Sequence, residues 1–304
     1  MIIGYKDPAE FRSKQVAIYR DREVYNLAPD AGEMDFGAMS ALRSPADLQA
    51  VQQGIRTGGF TFANVGVSAA LTLDHDGSDY AVLVRQDRPD FGDSVAKLVS
   101  GYTPASTMLA PHFAVWNELA EEVVPHDGWT VIRFRRNGVP LPTPFDDLYD
   151  GHAQSINIDI TKINFVPDLC GPVGMVGSDL IDNPSLYFHL PTNSAQLVYG
   201  YHLDLRDVDL ARERISLWHS EEKFNSEKGM LDVHLHEEGL YLVRLENGDL
   251  TDNVFTMTRG VLEQVDPRTI TLSEAFAPKE DGIVSVNNIS LDDYLRREFS
   301  QLLP

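Results

Sequence analysis

The chain contains one cysteine in 304 residues, Cys170 in "DLCGP". A single thiol excludes an intrachain disulfide and any cage of thiolates around a metal, and Cys170 reads as a small buried or loop residue. No stretch approaches the roughly 18 apolar residues of a membrane span. The opening "MIIGYKDPAEF" has neither the basic start nor the long apolar segment of a signal peptide. No membrane partner is therefore expected, and the expected compartment is the cytoplasm. Basic residues are also scarce, 25 against 46 acidic ones, for a net charge of −21. Nucleic acid would need a basic stripe to displace its counterions, and the densest basic spot is only "RFRR" at 133–136. A small anionic substrate stays open if a bound cation mediates the contact. The glycines of "GPVGMVGSD" lack the lysine of a phosphate loop, and no Gly-x-Ser-x-Gly elbow exists to anchor serine hydrolysis.

What is present is a hydrophobic content of 43%, enough for a core of one large domain or two ordinary ones. Residues 1–58 read as a small α+β unit. Within it, "KQVAIYRDREVYNLAPDAG" is a hairpin turning at Arg-Asp-Arg, and "SPADLQAVQQGIR" is a helix with Ser44 as N-cap, Asp47 closing a capping box, and Leu48, Val51 and Ile55 on one face. The remainder, 59–304, reads as a second domain. It starts with two apolar strands around the turn "DHDGSD" and a short strand "AKLVSGY" ending at Gly101. A helix follows over about 109–123, and "WTVIRFRRNG" resumes strand character. Residues 138–192 are rich in proline and glycine yet contain the alternating Ile156, Ile158 and Ile160, the pattern of an elaborate insertion. Strands are expected again at "AQLVYGYHLDL", "DVHLHEEGLYLVRL" and "NVFTMTRGVLEQV", and a closing helix at "SLDDYLRREFSQLL". Strands joined by hairpins with few helices give an α+β class with a mixed sheet.

The stretch "NELAEEVV" at 117–124 concentrates the chemistry. On a helix, Glu118, Glu121 and Glu122 fall within an arc of about 100°, while Phe113, Trp116, Ala120 and Val123 are expected on the packed side. The acids occupy the last turns, where the helix dipole disfavours negative charge, and Glu118 with Glu122 is a like-charge i,i+4 pair. No Lys or Arg lies between Lys97 and Arg133. Such a cluster would be relieved by a divalent cation, and carboxylates on a rigid face suit Mg²⁺ or Mn²⁺.

The order of two strands, the short strand "AKLVSGY", a loop and "HFAVWNELAEEV" resembles the Nudix hydrolase family, whose box is G-x5-E-x7-R-E-U-x-E-E-x-G-U with U aliphatic. "ELAEE" at 118–122 matches the E-U-x-E-E core, and Gly101 stands near the box's first glycine. Asn117 replaces the family's Arg, the earlier Glu is missing in either register, and Val124 replaces the later Gly. The resemblance covers roughly residues 60–135. It implies a Nudix-like mixed sheet sandwiched by helices, with metals held by Glu118, Glu121 and Glu122. The reaction it implies is hydrolysis of a nucleoside diphosphate linked to another moiety, with those three glutamates as catalytic residues and a phosphate-containing small molecule as substrate. Glu221, Glu222, Glu237 and Glu238 stay open as bases outside the helix, and Arg85 is a candidate for phosphate, or a surface arginine beside Asp87.

Two other readings stand beside this one. A protein of the same fold that has lost turnover would serve as a ligand-sensing or partner-binding module. Alternatively, His234 and His236, two apart on one face of a strand, could hold a metal in an unrelated α+β enzyme, although such a pair more often marks an exposed strand end. Tyr149, Phe165 and Tyr187 are the aromatics expected to wall a substrate ring, unless they are core. The N-terminal hairpin offers an edge through which a second copy could pair, giving a homodimer.

Overall fold

A computed structural model describes residues 2–88, 93–141, 156–163, 172–247, 249–270 and 285–286. The expected closing helix, Cys170, Tyr149 and Phe165 lie outside the described residues. Strands dominate, with three α-helices among the described residues, so the α+β class holds as a mixed, mostly β architecture. No helix of the described residues is long and apolar enough to cross a membrane.

The centre is the strand Asn64–His75, buried on both faces along its first ten residues. Its alternation of Val65, Val67, Ala69, Leu71 and Leu73 with small residues lets neighbours pack closely above and below. On one side it runs parallel to Ser194–Asp204, from Asn64 opposite Ser194 to Leu73 opposite Leu203. Its other side is shared between two partners. Residues 66–69 pair with Val99–Tyr102, and residues 71–75 pair with Ser78–Arg88. Asp76 and Gly77, at φ 51° and 71°, make the tight turn read from "DHDGSD". The expected short third strand is split at Leu98, because Asp93–Lys97 pairs with Ser78–Arg88 while Val99–Tyr102 crosses to the central strand.

A second, fully antiparallel sheet has the order Ile2–Lys6, Met230–His236, Ser216–Asn225, Val123–His126. The strand Ser216–Asn225 was not among the expected elements. The helix Pro111–Glu122, α3 in chain order, runs directly into Val123–His126, so this sheet fixes the helix's C-terminal end. The chain thereby brings Lys6 and Glu222, distant in sequence, to the glutamates.

The N-terminal hairpin forms as expected over Val16–Asp21 and Val24–Pro29. Both its outer edges are covered, by Phe60–Phe62 and by Val173–Met175, so the edge the sequence seemed to offer a second copy is used within the chain. Helix α1, Phe36–Leu42, is capped by Asp35; α2, Leu48–Thr57, is capped by Asp47, whose carboxylate accepts from the Ala50 N–H at 2.9 Å. Asp47, not Ser44, is thus the N-cap. Val51 and Ile55 bury as expected and Gly58 ends the helix.

Candidate functional site

Helix α3 turns its glutamates inward. Its buried residues include Ala114, Val115, Leu119, Ala120 and Glu121, whereas Phe113 is 44% exposed. The expected division of faces is therefore corrected: Phe113 lies on the solvent side, and the carboxylates project into a cleft of about 1480 Å³. The sheet beneath the helix supplies the reason. Its apolar strands take Val115 and Leu119, and the same rotation carries Glu118 and Glu121 toward Val99–Tyr102 and Ser216–Asn225.

Glu118 faces Gly101 so closely that a Cβ at that position would fall on the Glu118 carboxylate. Glycine here is a space requirement, not a turn requirement. Glu122 is held by Lys97, whose ammonium reaches its two oxygens at 3.0 and 3.1 Å, and by the Ser100 N–H at 3.1 Å. Lys97 also donates to the Ser100 hydroxyl and carbonyl, which fixes it although it is nearly buried. Glu121 is bound by Lys6, which also meets Glu222 at 2.5 Å. The cations missing from the local sequence thus arrive from Lys97 on an adjacent strand and from Lys6, 115 residues away. The helix's last carbonyls are also satisfied. The Ser220 hydroxyl donates to the Glu121 carbonyl at 2.6 Å, and His219 Nδ1 lies 3.2 Å from the Glu122 carbonyl. A carbonyl only accepts, so this bond places the imidazole proton on Nδ1 and leaves Nε2, buried and without a hydrogen-bond partner among the described residues, with a lone pair.

The groups are unevenly matched, because four carboxyl groups face two ammonium groups. Burial, then Glu121 and Glu122, pushes the Glu118 carboxyl well above its ordinary range. Burial pushes Glu121 up to about 7 against the opposing pull of Lys6. Glu222, further out, is raised by burial, but Lys6 and a hydrogen bond with Glu121 together outweigh this and leave it below its ordinary value. Burial pulls Lys6 down, but Glu121 and Glu222 outweigh it and the ammonium titrates above its usual range. Burial holds His219 below its usual value, hence neutral near pH 7.

Arg85 lines the same cleft and pairs with Asp87 at 3.0 Å. Glu221 and Glu222 line it as well, whereas Glu237 and Glu238 are exposed in a turn outside it. His234 and His236 share one strand face with ring centroids 6.0 Å apart, and His236 Nε2 stands 3.8 Å from Glu221. Among the described residues, no three carboxylate, imidazole or thiolate groups stand together as a ready metal site, at the histidines or at the glutamates. Tyr187 is buried in Ser185–His189 and takes no part in the cleft. The aromatic rings that line the cleft are Phe11, Phe36, Tyr102 and Phe224, of which the first three pack together. "RFRR" is no basic patch either: Arg136 is bound bidentately by Asp182 at 2.8 and 2.9 Å, and Arg135 donates to the Gly138 carbonyl.

Sequence reasoning missed Lys6, Lys97, Ser100, His219 and Ser220. Only Lys97 carried a signal, as the last cation before the acidic run. No protein-family model matches the chain, and no curated protein matches its sequence.

Proposed function

We propose that the cleft is the active site of a divalent-metal-dependent hydrolase that cleaves the diphosphate of a nucleoside diphosphate linked to another moiety, in a Nudix-like fold. The observation that carries this reading is the convergence of Glu118, Glu121 and Glu122 on one large cleft, with Gly101 set against Glu118. Strand, loop and helix thereby juxtapose the residues through which the sequence resembles that family. The donor set suits a hard divalent cation, since it consists of oxygens, has more carboxyl than ammonium groups, and includes Glu118, which makes no salt bridge among the described residues. Glu118, Glu121 and Glu122 would hold Mg²⁺ or Mn²⁺, which when bound supplies neutralisation of the diphosphate and polarisation of water.

The chain's own residues divide the remaining work. Lys97 and the Ser100 N–H orient the Glu122 carboxylate, and Gly101 keeps room for that of Glu118. Glu222 is the acid outside the helix that reaches the cluster, and as the group kept ionised it is the base that takes the proton from the attacking water. Arg85 meets the leaving phosphate in exchange for its contact with Asp87.

A second reading, a ligand-sensing or partner-binding module without turnover, is favoured by one observation: Lys6 and Lys97 engage the carboxylates that metals would use. Phosphate release from a panel of nucleoside diphosphate compounds, with Mg²⁺ or Mn²⁺ and with Glu121→Gln and Glu122→Gln controls, separates the two. Turnover by the wild type that both variants lose is the expected result. Saturable ligand binding with no turnover of any compound would favour the module.

A further inference from the structure

We propose that Phe11, Phe36 and Tyr102 form a second subsite of the cleft that binds a planar aromatic heterocycle of the nucleobase class, with Phe36 as its principal stacking surface. The inference rests on the hydrolase reading for the anionic end of the ligand, and on independent geometry for the aromatic end. Tyr102 follows Gly101 directly on Val99–Tyr102, so the strand that faces the carboxylates continues into the aromatic wall. Phe11 packs edge-on against both other rings, at 6.0 Å and 77° to Phe36 and 6.5 Å and 66° to Tyr102. The Arg43 guanidinium sits 4.7 Å from the Tyr102 ring centroid and holds that ring in place, while Arg12 bonds the Ala9 and Phe11 carbonyls and fixes the segment carrying Phe11.

Phe36 opens α1, lines the cleft and is 42% exposed, so part of a large apolar side chain faces a concave space. Carboxylates and lysines at one end and three rings at the other match a ligand that is anionic at one end and aromatic at the other. The near-perpendicular contact with Phe11 sets the tilt of Phe36, and the exposed part of Phe36 is the surface open to stacking. Stacking, which tolerates any base, supplies the affinity.

The test compares AMP, GMP, CMP and UMP with ribose 5-phosphate, which lacks only the base, by calorimetric titration of the full-length protein with excess Mg²⁺. Each nucleotide is expected to bind about tenfold more tightly than ribose 5-phosphate. Phe36→Ala should abolish most of that advantage without changing ribose 5-phosphate binding or the melting temperature, and Phe36→Trp should keep it. Equal binding of nucleotides and ribose 5-phosphate, an advantage that survives Phe36→Ala, or no binding of any of them would overturn the proposal. Diphosphate hydrolysis measured on the same samples separates the two claims. Turnover without a base advantage sinks the subsite and leaves the hydrolase, whereas a Phe36-dependent base advantage without turnover of any diphosphate sinks the hydrolase and leaves the subsite.

Discussion

Replacing Lys6 by Met removes a cation that joins two sheet strands to the glutamate helix. Its ammonium bridges Glu121, whose side chain is 10% exposed, and Glu222, at 37%. Losing one partner of a fully buried ion pair costs about 3–5 kcal/mol. Because 34% of the Lys6 side chain is exposed, solvent screens part of this, and roughly 1–3 kcal/mol is the expected loss. The loss should depend on pH, because Glu121, with a pKa of about 7, is mostly protonated and neutral well below that value. At mildly acidic pH the variant forfeits only the contact with Glu222. Above pH 8, where the wild-type Glu121 is ionised against Lys6, the variant leaves Glu121 buried without its counter-charge beside Glu118, Glu122 and Glu222. Urea unfolding of wild type and Lys6→Met at the two pH values measures this, with the slope m serving as a check that the unfolded state is unchanged. An equal loss at both pH values, or a larger one in acid, would refute the placement of Lys6 as the counter-charge of Glu121.

Other consequences are narrower. In the metal-free wild type, folding raises the Glu121 pKa from 4.5 to about 7, so the folded form holds more protons than the unfolded between those values. This group's contribution to stability therefore falls as pH rises through that window, by at most about 3 kcal/mol, and thermal melts from pH 5 to 8 should fall accordingly. Asp182→Ala leaves the Arg136 guanidinium and the Tyr201 hydroxyl without their shared acceptor in a nearly buried network that also holds Trp116 of α3. A loss of about 3 kcal/mol is expected in chemical unfolding, and a loss under 1 would contradict the network's role. Gly101→Ala should displace the flexible Glu118 carboxylate at a cost of about 1 kcal/mol or less in stability while weakening divalent-cation binding at least tenfold, and a variant that binds Mn²⁺ like the wild type would remove the argument from the cradle.

The elements governed by local rules were legible in the chain. Asp76-Gly77 fixed its hairpin turn, alternating Ile158 and Ile160 marked a buried strand, and Glu118, Glu121 and Glu122 grouped on one side of their helix. Misreadings came where tertiary contacts decided. Phe113 looks like part of a packing face, yet the apolar bed beneath α3 takes Val115 and Leu119, leaves Phe113 exposed and turns the glutamates inward, while Trp116 packs against the core as expected. Ser44 with Pro45 has the form of a helix start, but Asp47 makes the cap bond. Lys6 carried no local mark, because its meaning depends on Ile2–Lys6 pairing with Met230–His236 across the whole chain. Phe11 and Phe36 were invisible for the same reason, whereas the proline-rich insertion drew attention to Tyr187, which is core.

The most direct test of the account is titration of Mn²⁺ into the metal-free, full-length protein by calorimetry, repeated with Glu118→Gln, because the Glu118 carboxyl is the one of the three helix glutamates without a salt bridge among the described residues. Saturable binding that the variant loses while keeping its fold is the result the account predicts. An absence of saturable binding in the wild type, or undiminished binding in Glu118→Gln, would contradict it and leave the glutamates as a cluster balanced by Lys6 and Lys97 alone.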